Sequence, residues 1–362
     1  MNFDLSEEQE LFTSTIERFS APIDVEARRK LRMIEGGYDR GRWNELAELG
    51  LIALAASEDD GGMGGSPLDL ALVGEAIGKA NAVDPWLENG VLPARLLAAA
   101  GDARLESLLS GESVAAFAWA ERNQRYCLAP EKMRLTPSGD QFVLAGEKTA
   151  ILGAGIADLL IITALDENGA TRFVCLPKDH SGLELRHYRM ADGSIAAELQ
   201  ALQAHVSPSD VLDIPESDFE LVVADVRLLA GAEMVGLAQR LQDETLNYVK
   251  EREQFGVAIG SFQALQHRLV DCYSLLEQAR SMLYRAALED RSSIEGWSRS
   301  SAGAKTFIAE AADHIAREAV QMHGGMGITE ELAIGHAMKR VLLLSKLFGD
   351  ADHTLSEYAK AA

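Results

Sequence analysis

The chain has 362 residues, 47% of them hydrophobic and 25% charged, and its 56 acidic against 34 basic side chains give a formal net charge of −22. So acidic a chain argues against nucleic acid or an anionic membrane as partner, and no apolar run reaches the length of a membrane span. Cys127, Cys175 and Cys272 are scattered without metal-ligand spacing, so no metal site is predicted; together with an acidic, amphipathic start, MNFDLSEEQELF, they point to a reduced, cytoplasmic setting.

The length suits two or three core-bearing units. Residues 1–112 read as an N-terminal helical domain. Ser6 and Gln9 have the spacing of a capping box, and Phe12, Ile16 and Phe19 mark one face of the helix that follows. Trp43, Leu46 and Leu49 mark another helix, closed by Gly50. The run Asp59–Pro67 is a breaker cluster, either a plain loop or a flexible segment near a ligand. A helix then carries Ala71, Leu72, Val73 and Ile77, and a further apolar stripe follows Pro93.

Residues 113–217 change period. Short strand-like runs at 114–119, 141–144, 159–163 and 171–176 are punctuated by Pro137-Ser138-Gly139-Asp140 and Asp166-Glu167-Asn168-Gly169, both good turn chemistry. A small antiparallel β domain is predicted. Residues 218–362 return to helical periodicity, with long amphipathic helices at 225–251, 262–290, 298–323 and 331–348 that form a four-helix bundle. The fold class is α+β.

Two stretches of this bundle carry chemistry. In Tyr248–Asp271, YVKEREQFGVAIGSFQALQHRLVD, one helix ends and the next begins around Phe255, Gly256 and Phe262, with Arg252, Gln254, Gln263, Gln266 and His267 crowded between. Arginine supplies planar donors suited to phosphate, and glutamine supplies paired donors and acceptors. A polar turn anchored by Phe255 is the plainer reading. The second stretch is Gln321-Met322-His323-Gly324-Gly325-Met326-Gly327-Ile328-Thr329-Glu330, where one glycine serves as a helix C-cap and the others let a backbone approach a ligand closely.

Both stretches, in this order, resemble signatures of the acyl-CoA dehydrogenases, and the helix–strand–helix order resembles that family's fold. The resemblance implies FAD, with Arg252, Gln254, Phe255, Gln263, Gln321, Gly324 and Gly325 reaching across a subunit interface to the pyrophosphate and adenine side of a neighbour's cofactor. It implies an acyl-CoA substrate, a 2,3-double bond as product and electron-transfer flavoprotein as electron acceptor. Oxygen-dependent oxidation, monooxygenation and hydration on the same scaffold are the competing chemistries.

Desaturation needs a base for the α-proton, normally a carboxylate in an apolar cleft. Many family members place it in a Y-E-G-T segment, and the alignment puts Phe348 or Gly349 at that position here, within Lys346-Leu347-Phe348-Gly349-Asp350-Ala351-Asp352-His353. Others place it near the start of the first bundle helix, where this chain has Val226. Glu233, flanking the apolar face of Met234 and Leu237, is taken as the leading base candidate, although such a residue commonly forms an interhelical pair. Asp350 is the other candidate. The ring-side segments, which usually read T-E-P-x-x-G-S-D and W-I-T-N, align with Ala120–Arg125 and Ala150–Ala154 and lack the expected hydroxyls.

This asymmetry resembles the small subunits of heteromeric members, such as those acting on pimeloyl-CoA or steroid side chains. A homologous large subunit in an α2β2 assembly is therefore expected, or else a homotetramer. The alternative to an enzyme with its own base is a non-catalytic subunit that completes a partner's FAD site.

Overall fold

The computed structural model describes residues 5–20 and 25–360. The first helices are α1 (Glu7–Phe19), α2 (Val25–Met33), α3 (Arg40–Glu48), α4 (Pro67–Lys79), α5 (Leu92–Ala99) and α6 (Arg104–Leu109), with a π-helical turn at Trp86–Val91 leading into α5. Strands β1 (Ala115–Ala118), β2 (Arg134–Ser138), β3 (Gln141–Leu152), β4 (Leu159–Leu165), β5 (Thr171–Pro177), β6 (Leu183–Arg189), β7 (Ile195–Val206) and β8 (Val211–Leu212) follow. Then come α7 (Glu216–Glu251), the short strands β9 (Glu253–Gln254) and β10 (Val257–Ala258), α8 (Gln263–Ala287), α9 (Ile294–His323), α10 (Ala333–Leu344) and α11 (Ala351–Lys360).

Internal contacts divide the chain into two compact units, Met1–Arg29 with Ser66–Ala82 and Val223–Ala362, and Lys30–Gly65 with Val83–Val222. Helices α1 and α4 belong with the C-terminal helices, and α3, α5 and α6 belong with the sheet.

In the helical unit, α1 opens on the expected capping box, Ser6 and Gln9 each accepting from the other's backbone amide. Helices α4 and α7 cross almost backbone to backbone. A side-chain carbon at Gly78 would overlap the Glu233 carbonyl, and one at Gly236 would overlap the Glu75 carbonyl. Arg280 and Tyr284 of α8 both reach Glu75 of α4 at 2.9 Å. Asp225 of α7 is held by Arg291 at 3.0 and 2.7 Å and by the indole of buried Trp297 at 2.9 Å. Helix α7 starts at Glu216 rather than at residue 225, with Glu216 and Asp218 at the positive end of its dipole. Helix α11 was not foreseen as a separate element.

In the sheet unit the strand order is β6-β7-β3-β2-β4-β5-β8, with β1 added on β4. The sheet is mixed, which corrects the antiparallel expectation: β1 and β2 both run parallel to β4. With neighbours on both edges, β4 has an unbroken buried run, Leu160–Ala164. The two predicted turns are hairpins, β2–β3 closing at Ser138 and Gln141, β4–β5 at Leu165 and Thr171. The glycine-rich segment before α4 is tied down: the amides of Gly62, Met63, Gly64 and Gly65 bond to carbonyls of Ser57, Ala53, Ala56 and Leu54.

Candidate functional site

Arg252 follows the last turn of α7, its amide bonded to the Tyr248 carbonyl at 2.8 Å. The chain then reverses between β9 and β10, where Gln254 pairs with Val257. Phe255 (φ 56°) and Gly256 (φ 80°) both take the left-handed conformation of a two-residue hairpin loop. For a phenylalanine this costs about 1 kcal/mol or more, yet its ring is 94% exposed. Its one ring contact among the described residues is an edge-on one with Phe262, centroids 6.3 Å apart. Arg252, Gln254 and Gln263 are also exposed, and the Arg252 guanidinium meets no carboxylate among the described residues. Gln263 opens α8, whose N-cap Phe262 offers no capping side chain, so the positive end of a 25-residue helix adds to the same surface.

The end of α9 supplies the second half. Gln321, Gly324 and Gly325 are exposed, and a side-chain carbon added at Gly256, Gly324 or Gly325 would meet nothing within 4 Å. The two halves join through a small core of Val249, Leu269 and Met322 and through the stacked rings of Tyr248 and His323, with centroids 4.2 Å apart. The seven residues expected at the cofactor, Arg252, Gln254, Phe255, Gln263, Gln321, Gly324 and Gly325, are all exposed, and they flank this join in sequence. A guanidinium without a carboxylate partner, carboxamides and open glycine backbone fit the diphosphate and adenine of a dinucleotide.

Glu233 lies elsewhere, about 28 Å back along α7 from Arg252. It is 3% exposed, and Arg340 of α10 takes both its oxygens, Nε to Oε1 at 2.6 Å and Nη2 to Oε2 at 3.0 Å. A buried carboxylate committed to a guanidinium through both oxygens is an interhelical ion pair. Asp350 caps α11: its Oδ1 accepts from the His353 amide at 3.1 Å, and Oδ2 lies 3.8 Å from Lys346 Nζ.

The positions aligned with a family base, Val226 and Phe348 or Gly349, are linked through Arg227. Phe348 is 1% exposed and Val226 is fully buried. Arg227, next to Val226, donates Nε to the Phe348 carbonyl at 2.8 Å, and Lys305 of α9 donates Nζ to the Leu347 carbonyl. Burial, with Arg227 beside it, pushes the Lys305 ammonium well below the ordinary lysine range. Arg227 also pairs with Glu357, which His353 meets at 3.1 Å. Sequence reasoning missed Arg227, Lys305 and Arg340. The available signal was a cation set inside an apolar helical stripe, as Lys305 is set among Ala304, Ile308 and Ala311.

The ring-side segments fold around a buried ion pair. Lys148 Nζ donates to Glu121 at 2.9 Å, to Thr163 at 2.8 Å and to the Trp119 carbonyl at 3.0 Å. Glu121 also accepts from the amides of Glu131, Lys132 and Met133. Burial pushes the Lys148 ammonium down to about 8 against the pull of Glu121. Burial works to raise the Glu121 carboxyl, but Lys148 and the amides outweigh it and hold it below its ordinary value. Asn89 Nδ2 binds the carbonyls of Ala115 at 2.8 Å and Gly153 at 3.2 Å, and its side chain fills the place a Cβ at Gly153 would take. Residues 150–154 offer no polar side chain to a ring.

A helical unit carrying this exposed polar surface, together with a mixed-sheet unit, has the fold of an FAD-dependent dehydrogenase. The acyl-CoA dehydrogenase C-terminal domain matches residues 222–362, and the acyl-CoA dehydrogenase N-terminal domain matches residues 6–106. The chain is 31% identical to acyl-CoA dehydrogenase IpdE2 of Mycolicibacterium smegmatis over 95% of this chain and 96% of the relative. It is 28% identical to the probable acyl-CoA dehydrogenase YngJ of Bacillus subtilis over 95% of both. Among solved structures, the ChsE4–ChsE5 complex from Mycobacterium tuberculosis shares the fold with a TM-score of 0.88 at 24% identity, covering 99% of this chain and 98% of that one. The chain belongs to the acyl-CoA dehydrogenase family, and no helix among its described residues is long and apolar enough to cross a membrane.

Proposed function

We propose that this chain is the flavin-bridging subunit of a heteromeric acyl-CoA dehydrogenase. Arg252, Gln254, Phe255, Gln263, Gln321, Gly324 and Gly325 hold the diphosphate and adenine side of an FAD whose ring belongs to a homologous partner subunit, and the partner supplies the base. The assembly forms a 2,3-enoyl-CoA from a fatty or steroid side-chain acyl-CoA and passes electrons to electron-transfer flavoprotein. FAD, when bound, supplies the hydride acceptor that no side chain can.

One observation carries the reading. None of the positions that align with a family base holds an acid: Val226, Phe348 and Gly349 are all buried, and the Phe348 and Leu347 carbonyls are taken by Arg227 and Lys305. Of the two acids first considered, Glu233 is committed to Arg340 and Asp350 to capping a helix. The outer face of α8, where Val270 and Tyr273 are exposed, supplies apolar area for a partner beside the strained tip of Phe255.

Purification of the chain alone and with its natural companion subunit tests this. The assembly is yellow and bleaches with acyl-CoA, Arg252→Ala strips its flavin, and the chain alone does not turn over. Flavin-replete turnover by the isolated chain overturns the heteromeric reading; a colourless assembly overturns the flavin reading. The second reading is a homotetramer with Asp350 as base, favoured by its half-buried place two residues after Phe348. Loss of turnover by Asp350→Asn in the isolated, active chain supports that one.

A further inference from the structure

The nucleotide surface is built from two stretches far apart in sequence, and one aromatic pair links them. Tyr248 sits one helical turn before Arg252, and its carbonyl is the acceptor for the Arg252 amide at 2.8 Å. His323 sits between Gln321 and Gly324. The two rings stack with centroids 4.2 Å apart and planes 23° from parallel. His323 is 6% exposed, so the stack lies beneath the surface that the exposed residues form.

The imidazole is held in one orientation. Its Nδ1 lies 2.8 Å from the Ala319 carbonyl. A carbonyl only accepts, so Nδ1 carries the proton and the plane of the ring is set one turn back along α9. Helix α9 thus fixes the His323 ring, the stack fixes Tyr248, and the Tyr248 carbonyl holds Arg252, the residue just before β9. The satellite core of Val249, Leu269 and Met322 supplies apolar area but no directionality. Aromatic pairs have a preferred geometry and contribute beyond the area they bury.

We propose that the Tyr248–His323 stack is the positioning latch of the nucleotide site. It sets the spacing between the Arg252 guanidinium and the Gln321–Gly325 backbone, and through that spacing it sets the affinity for FAD, with neither ring needing to touch the nucleotide. The inference rests on the flavin-bridging reading above. A plain packing role gives a different outcome, in which fold stability falls and nucleotide affinity follows only as far as unfolding takes it.

The test uses the assembly freed of flavin, titrated with FAD and followed by quenching of flavin fluorescence, beside the thermal melt of the flavin-free form. His323→Leu and Tyr248→Leu each weaken FAD binding about three- to tenfold, the range a lost aromatic pair supports. The flavin-free melt moves by only a few degrees. His323→Phe keeps a ring to stack and restores affinity to within about twofold. The double variant Tyr248→Leu/His323→Leu binds no more weakly than the worse single one, because both remove the same contact. Unchanged FAD affinity in His323→Leu, in an assembly where Arg252→Ala loses it, overturns the latch and leaves the flavin site standing. Failure of the unaltered assembly to bind FAD overturns the proposed function instead.

Discussion

Arg340 of α10 closes on both oxygens of Glu233 in the middle of α7, at 2.6 and 3.0 Å, with both side chains buried. Removing one member leaves a buried charge without its countercharge, which costs about 3–5 kcal/mol, whereas replacing both by packed apolar side chains is close to neutral. Glu233→Met and Arg340→Met each therefore lower the unfolding free energy by about 3–5 kcal/mol, and the double variant returns to within about 1 kcal/mol of the original. Urea unfolding measures all three. Glu233→Gln, which keeps the shape, leaves turnover of the assembly intact. A loss of turnover beyond any loss of folded protein would return Glu233 to the role of base.

The backbone of the same residue limits its neighbour. A side-chain carbon at Gly78 would overlap the Glu233 carbonyl oxygen and crowd the Leu237 amide. Alanine is the better helix former by about 1 kcal/mol, but here the obstacle is rigid backbone and α4 must move away from α7. Gly78→Ala therefore destabilises by about 2 kcal/mol, read as a fall in melting temperature. A melt at or above that of the unaltered protein would mean that the α4–α7 crossing yields freely.

What could be read from the sequence was local. The capping box at Ser6 and Gln9, the turns at Gly139 and Gly169 and the helix end at Arg252 each follow from a few adjacent residues. Strand β7 was missed because Ala196, Ala197, Ala201 and Ala204 favour a helix in isolation. The stretch is extended because β3 and β6 pair with its two edges, a tertiary context that overrides propensity. The parallel partners of β4 were unreadable for the same reason. The exposed half of the site was legible because its residues lie in two continuous motifs. The buried cations were not, since Lys305 and Arg227 act on carbonyls 42 and 121 residues away.

The thiols separate by burial. Cys127 is exposed, and Cys175 and Cys272 are buried. Burial pushes both buried thiols up to about 11, so neither carries useful thiolate at neutral pH. A disulfide reagent at neutral pH should titrate one thiol per folded chain and all three after denaturation, and Cys127→Ser should abolish the fast reaction. Fast reaction at a second thiol would report opening of α8 at Cys272 or of β5 at Cys175.

Lys148 gives the sheet unit a pH signature whose sign can be worked out. Its side chain has no exposed surface, and burial lowers its pKa from 10.5 to about 8. The folded chain therefore begins to release this proton near pH 8, while the unfolded chain keeps it to about 10.5. Between those values the unfolded state binds more protons, so the Lys148 contribution to stability rises with pH; below about 8 it is flat. Glu121 acts in the opposite range. Its lowered pKa contributes stability that is present above the ordinary carboxylate value and lost as pH falls through the folded one. Compared with Lys148→Met, the unaltered protein should gain about 2 kcal/mol of unfolding free energy between about pH 8 and about pH 10. Urea unfolding of both proteins across that window measures the difference. A difference that stays constant would mean that Glu121, Thr163 and the Trp119 carbonyl hold the ammonium as firmly as water does in the unfolded chain, so that the ion pair just offsets burial.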